Sequence, residues 1–365
     1  MTYQGFGNGS DGAATLSGTD APVDSSCSGT SGTKSLSATN ASFASEKLLL
    51  IHQSRGTGCG NWEINIVDSY SVGTITTLFD LVNTYTDSGN SQAQVIQLPE
   101  YSQVTVSGTL TAKAWDGNVG GIIAFLCNGD TTISGTITAT GRGFRGGNGG
   151  SGAGEAGEGT TGAQVNQRTA NGNGGGGGGQ GPDGGHIEGG HGGGGGNGAA
   201  GSSASGKNTA TPGSGGSSSG SADLSTMTFG GGGGAGGAEN NGNNDGTGGG
   251  IGGGIIFIFS STITVSGSVQ ANGNGTSGNS LNSGIGGGGA GGSIYILTIS
   301  GTLGSGLITA TGGVGGTSTG AFGGKGADGA VGRIAIYSCS YTGSTNPGST
   351  DSQGGDFCQS FISIY

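Results

Sequence analysis

The chain has little charge. Only 8% of its 365 residues are Asp, Glu, Lys or Arg, and 10 basic residues face 21 acidic ones. Gripping nucleic acid takes clustered Lys and Arg, so nucleic acid is excluded as a partner. An anionic membrane surface is excluded on the same ground. Long apolar runs are missing too. Leu48-Leu49-Leu50-Ile51 is far too short to span a bilayer, so no membrane insertion is expected. The opening Met1-Thr2-Tyr3-Gln4-Gly5 has neither the basic region nor the apolar core of a secretory signal. The expectation is a protein made in a cytoplasm, released by another route such as lysis, and found in a virion or outside the cell.

Cysteine is scarce and odd in number: Cys27, Cys59, Cys127, Cys339 and Cys358. No C-x-x-C pair exists, so a zinc site has no support. Cys339 with Cys358, and Cys27 with Cys59, are spaced to pair in an oxidising setting. Buried free thiols are the equal alternative. Histidine is rarer still, with 3 residues. Two of them, His186 and His191, flank Glu188 beside Asp183 in a Gly-rich segment. Such a segment does not pre-organise ligand geometry, so these four read as polar loop residues and no metal or cofactor is expected. With His52 the sole histidine elsewhere, no Ser-His pairing stands out. Asp116, Asp130 and Asp328 are scattered over unit edges, where paired carboxylates would be needed to cleave a polysaccharide. The chain reads as a non-enzyme.

Glycine is what the chain has in excess: 96 residues. They crowd into tracts at Gly174–Gly179, Gly192–Gly196, Gly230–Gly234 and Gly286–Gly289. The many Gly-x-Gly-x-x-Gly matches carry no information in such a chain, and no amphipathic helix follows any of them. Gly5–Gly12 and Asn243-Asn244-Asp245-Gly246 resemble calcium turns but lack the nine-residue spacing of calcium β-rolls. They read as tight turns.

Between the tracts a strand unit returns. It reads Gly120-Gly121-Ile122-Ile123-Ala124-Phe125-Leu126, then Gly253-Gly254-Ile255-Ile256-Phe257-Ile258-Phe259, then Gly291-Gly292-Ser293-Ile294-Tyr295-Ile296-Leu297, then Val331-Gly332-Arg333-Ile334-Ala335-Ile336-Tyr337. A second strand with a Gly at its bend follows, as in Thr132-Ile133-Ser134-Gly135-Thr136-Ile137 and Thr264-Val265-Ser266-Gly267-Ser268-Val269. The form is already present at Thr105-Val106-Ser107-Gly108-Thr109-Leu110. Gly at a fixed place within strands marks a repeated bend. Self-similarity of this kind signals stacked repeats. The last units start roughly 38 and 40 residues apart. The much longer gap from Gly120 to Gly253 holds an insertion at about 147–250, nearly free of large apolar residues. Residues 1–100 differ. Period-2 alternation in Trp62-Glu63-Ile64-Asn65-Ile66 predicts half-buried strands, and the region reads as a β-rich assembly or attachment domain with its own core.

A glycine tract offers no side chain to bury, and ordering it costs about 0.5–1 kcal/mol per residue more than ordering Ala. The tracts therefore stay flexible or pack backbone to backbone as extended three-residue-per-turn chains. Their recurrence at each unit end favours packing. The expected fold is all-β: a β-solenoid-like body over 101–365 with packed polyglycine-II-type helices, plus the small N-terminal β-rich domain. Trp115, Phe144, Phe229 and Phe322 could stack on sugars, but core packing is their expected role.

The tract layout over 141–254 resembles the glycine-rich adhesins at the long tail-fibre tips of T-even-like phages. The strand units, such as Gly253–Gly273, are similar to Gly-rich β-solenoid proteins from phages and uncultured bacteria. The adhesin resemblance implies a polyglycine scaffold whose polar loops bind a host receptor or glycan. The corresponding segments are Gln164–Asn173, Asp183–His191 and Ser202–Met227. They make Gln164, Asn166, Gln167, Arg168, Asn171, His186, His191, Lys207 and Asn208 the candidate receptor-binding residues. Partners would be other copies of the chain, other virion or fibre subunits, and a host surface. A self-assembling extracellular filament or surface-layer subunit is the alternative reading, and a polysaccharide-degrading tailspike the third.

Overall fold

The computed structural model describes residues 5–40, 42–180, 189–205, 210–239, 245–278, 283–318 and 324–353. Among these the chain is all-β, without a helix. The first nine strands are β1 (Ala13–Thr15), β2 (Gly18–Thr19), β3 (Asp24–Gly29), β4 (Ser35–Ala38), β5 (Leu48–Arg55), β6 (Trp62–Ser71), β7 (Thr74–Thr77), β8 (Gln92–Gln97) and β9 (Glu100–Tyr101). The rest are β10 (Gln103–Val106), β11 (Thr109–Thr111), β12 (Ile122–Ile133), β13 (Thr136–Thr138), β14 (Ile255–Val265), β15 (Ser268–Gln270), β16 (Ser293–Thr309), β17 (Arg333–Asn346) and β18 (Thr350–Gln353).

They divide into two sheets. The body is a curled parallel sheet in the order β1-β10-β12-β14-β16-β15-β13-β11-β2, with β17 and β18 extending from β16 and β9 beside β12. The sequence repeats align in register. Ile123 pairs with Ile256, Ile256 with Ile294, and Ile294 with Ile334. Phe125, Ile258, Ile296 and Ile336 form the next column. These columns fill one apolar cluster inside the bent sheet. The intervening Ile122, Ala124, Leu126, Phe257 and Phe259 enter a second cluster on the other face. Burial on both faces is why the units read as unbroken apolar runs, the mark of a covered parallel sheet.

The second sheet is a closed antiparallel barrel, β3-β4-β7-β6-β5-β8. Its core holds Leu36, Leu49, Ile51, Val67, Ile75, Tyr85 and Val95. Every residue of β5 is buried. Leu49 and Ile51 point into the barrel, while Leu48 and Leu50 join Ile64 and Ile96 against the body. Trp62 lies edge-on to Phe257 and Tyr295, at centroid distances of 5.3 and 5.6 Å. Its Nε1–H donates to the Leu224 carbonyl at 2.8 Å. The barrel thus has a core of its own and a second face that it shares with the body.

The division near residue 100 does not coincide with the sheets. β1 and β2 belong to the body: Thr15 pairs with Thr105 and Thr19 with Thr111. This first rung, Ala-Ala-Thr-Leu-Ser-Gly-Thr, lacks the Ile/Phe run that made the others visible.

The described tracts are ordered by backbone hydrogen bonds. Gly175 and Gly178 donate to the carbonyls of Gly232 and Ala235; Gly190, Gly193 and Gly196 donate to Gly179, Gly176 and Asn173. A given neighbour returns every third residue, and intervening amides reach other neighbours, as Gly176 does to Ser214 and Gly177 to Gln167. Close approach requires the missing Cβ: one built on Gly232 would lie 2.6 Å from the Arg145 carbonyl carbon. Buried backbone groups with no side chains to help them pair with one another, as satisfaction demands.

Cys27, Cys59 and Cys127 are free thiols, so the Cys27–Cys59 pair does not form. Cys27 sits in the barrel core, away from the turn that carries Cys59. Cys339 is disulfide-bonded; Cys358, the partner considered for it, lies outside the described residues.

Candidate functional site

Where the barrel meets the glycine-rich insertion, polar loops enclose two adjoining cavities. One, of about 600 Å³, is lined by Asn90, Thr161, Gln164, Val165, Gln167 and neighbouring residues up to Gly172. The other, of about 410 Å³, lies between Gly56, Thr57, Asn90, Ser91, Thr160 and Thr161. Asn90 and Thr161 line both, so the two form one polar groove. On the barrel, residues Ser28–Ser37 and Thr84–Ser88 flank a third hollow of about 590 Å³.

The insertion loop is built by its own side chains. Bridges Ala156↔Val165, Gly159↔Gly162 and Asn171↔Gly174 close it. Asn171 Nδ2 donates to the carbonyls of Gly157, Gly162 and Ala163 at 3.1, 3.0 and 2.7 Å. Thr161 Oγ1 donates to Asn171 Oδ1 at 2.6 Å. Asn171 is therefore the internal brace of the loop, and it is only 6% exposed. Gln164 Nε2 donates to the Gly146 carbonyl at 2.9 Å, and Gln167 Nε2 to Ala170 at 3.2 Å. Arg168 binds the Gly178 and Gly154 carbonyls and Asn166 Oδ1. Burial lowers the Arg168 pKa from its usual value. Asn166 and Val165 are exposed at the rim.

A buried ion cluster holds this loop to the barrel. Glu158 is fully buried, and its Oε1 meets Arg55 Nη1 from β5. Its Oε2 accepts from Arg145 Nε at 2.9 Å and from the Arg145 amide at 3.1 Å. Arg55 Nε donates to the Asn90 carbonyl at 3.0 Å, and the Gly56 amide to Thr160 at 2.9 Å. The groove floor is thereby set by charge-assisted bonds from both parts of the molecule. His52 makes a second tie. Its Nε2 lies 2.8 Å from the Met227 carbonyl, which only a protonated Nε2 can satisfy, and Nδ1 then accepts from Ser54 Oγ at 2.9 Å. Burial pushes the His52 pKa down to about 4.

The sequence-derived residues divide accordingly. Gln164, Gln167 and Asn171 line the groove, with Asn166 and Arg168 in the same loop. His191 is not on the surface. It is 1% exposed, and its Nδ1 accepts from the Ile285 amide at 3.1 Å. The physical reason is its place between Gly190 and Gly192, whose tract is packed in the interior. His186, Lys207 and Asn208 lie outside the described residues, as do Asp183, Glu188 and Phe322. The segment Ser202–Met227 ends inside the protein, with Leu224 and Met227 in the apolar cluster beneath Trp62. Trp115, Phe144 and Phe229 are core residues: Phe229 lies 5.3 Å from each of the other two ring centroids. Asp116 caps a turn through the amides of Asn118 and Val119, and Asp328 binds Lys325 and the Gly315 amide. Among the described residues no group of His, Cys, Asp and Glu is arranged to hold a metal ion. Asn90, Thr57 and Ser91 had no signal in the sequence, because only tertiary contact brings them beside Thr161.

No family model and no curated protein sequence matches this chain. A solved structure with similarity is the Gp54 tailspike of Acinetobacter baumannii bacteriophage AP22 in complex with A. baumannii capsular saccharide. The identity is 11%, the alignment covers 94% of this chain and 57% of that one, and the TM-score is 0.21. A likeness at that level carries no argument about this chain.

Proposed function

We propose that the chain is a non-enzymatic structural protein of a phage virion or fibre, and that the groove at Asn90, Thr161 and Gln164–Gly172 recognises a glycan on the host surface. The body acts as a β-solenoid braced by polyglycine-II-type helices, and the insertion presents its loop on that brace. The observation that carries the reading is the groove itself: polar loops, tied by the Arg55–Glu158–Arg145 cluster, on a scaffold of paired backbones. Recognition is usually carried by loops held on a rigid scaffold. The polar side chains lining the groove are amides and hydroxyls, with Ala163, Val165 and Ala170 between them, a lining suited to the hydroxyls and apolar faces of a neutral sugar. Among the residues lining the two grooves and the barrel hollow, Asp87 is the sole carboxylate, where hydrolysis of a glycosidic bond by the usual route uses two.

The test is host-cell binding by the full chain and by two groove variants, Thr161→Trp and Asn90→Ala. Asn90→Ala should fold as the parent does. Thr161→Trp also removes the bond to Asn171, so circular dichroism checks its fold. Both should lose binding, Thr161→Trp the more completely because it fills the junction of the two cavities. Unchanged binding by Thr161→Trp would sink this assignment.

A further inference from the structure

The outer face of the bent sheet carries a regular hydroxyl grid. Thr15 pairs with Thr105, Thr105 with Thr132, Thr132 with Thr264, Thr264 with Thr302, and Thr302 with Thr342. One threonine column therefore crosses the sheet without a break. Two residues earlier, on β12, β14, β16 and β17, runs a parallel column: Asp130 beside Thr262, Thr262 beside Ser300, and Ser300 beside Ser340; on β1 and β10 the same place holds Ala13 and Gln103. Thr132, Thr264, Thr302 and Thr342 are exposed, while the alternate Ile133, Ile263, Val265 and Leu303 are buried. Between the columns lies a trough of about 200 Å³, flanked by Thr262, Thr264, Ser300, Thr302, Ser340 and Thr342.

Parallel strands lie about 4.8 Å apart, and alternate residues along a strand about 6.6 Å apart, so the hydroxyls form a two-dimensional grid. Threonine is stiff at χ1, so the grid is ordered before anything binds. Each threonine also presents a methyl beside its hydroxyl, so the face offers apolar and hydrogen-bonding groups together. Charge is nearly absent: Asp130 is the one ionised residue of the two columns, and Thr262 Oγ1 bonds to it. Among the described residues lining the trough, Tyr341 carries the one ring. It is partly buried against the core and its hydroxyl is bonded to Asp351.

We propose that this face binds an ordered water lattice, the surface of ice. Hexagonal ice repeats its oxygens on a grid of similar spacing in two directions, and the threonine column, with the hydroxyls of Thr262, Ser300 and Ser340 beside it, offers a matching array. A flexible or charged surface would instead hold disordered hydration water. The glycan groove plays no part in this binding.

The experiment measures thermal hysteresis and inhibition of ice recrystallisation by the full chain. Thr264→Tyr and Thr302→Tyr place a ring in the trough while keeping a strand-favouring residue, and circular dichroism checks that they fold. Ser218→Tyr, on an exposed segment elsewhere, is the control. The expected result is activity in the parent and the control, and its loss in both trough variants. No ice activity in the parent overturns the proposal, as does equal activity in the trough variants. A parent that lacks ice activity but loses host-glycan binding on Thr264→Tyr would show the face to read sugars instead.

Discussion

Replacing Gly232 by Ala adds one methyl, yet the interior leaves no space for it. The new Cβ would lie 2.6 Å from the Arg145 carbonyl carbon, 3.0 Å from the Gly146 nitrogen, and closer still to the Arg145 oxygen. These are backbone atoms, so no side chain can swing aside. The Gly232 amide donates to Glu158 at 3.0 Å, and its carbonyl accepts from Gly175 at 2.8 Å. Forcing the chains apart costs about 1–3 kcal/mol in overpacking. Loss of the two hydrogen bonds adds about 1 kcal/mol each. The expected destabilisation is therefore about 3–5 kcal/mol, a large share of a typical domain's stability. Gly150 is the internal control. It lies in the same insertion, but nothing approaches its Cβ position within 4 Å. Gly150→Ala should be neutral or stabilising by up to about 1 kcal/mol, because it restricts the unfolded chain. Urea unfolding of the two variants reads the difference directly. Equal effects at the two positions would refute the backbone-packed interior.

Other perturbations follow from the same contacts. Glu158→Ala leaves Arg55 buried without its acid and should destabilise by about 3–5 kcal/mol, seen as a lower urea midpoint. In the folded state His52 has its pKa lowered to about 4, so between pH 4 and 6.5 only the unfolded chain takes up a proton there. That contribution to stability, about 3 kcal/mol, is present above pH 6.5 and is lost as pH falls to about 4. Asp20, raised to about 6 by burial, acts in the opposite sense, gaining stability as pH falls through 6, so the comparison must be parent against His52→Gln across pH. The variant should lack the parent's downward slope, and identical slopes would exclude His52 as the cause. In hydrogen exchange, the amides of Gly175, Gly193 and Gly234 should be protected to near the global unfolding limit; exchange at free-peptide rates would contradict their bonds to Gly232, Gly176 and Gly193.

Much of the body was legible before folding. Ile255–Phe259 and its relatives stand out because both faces of a covered parallel strand must be apolar, and their copies fall into register as the repeat suggested. The Ser-Gly bends and the insertion were equally readable, because a gap in a repeat needs no contact to be seen. The candidate loop Gln164–Asn173 came from the adhesin resemblance, and residues between Gln164 and Gly172 border a groove.

Other features were decided only in three dimensions. The rung at β1 and β2 is too short and polar to declare itself, and it is recognised by its pairing with Thr105 and Thr111. His191 looked like a loop residue because glycine neighbours carry no burial signal; its tract is interior because backbone, rather than side chain, does the packing there. The groove needs Asn90 beside Thr161, and the ion cluster needs Arg55 beside Glu158, both pairs distant along the chain. Periodicity along a sequence reports which face of a strand is apolar, because that is a local property of the backbone. It cannot report which loops meet, because that depends on how the barrel seats Leu48 and Leu50 against Ile122 and Phe257.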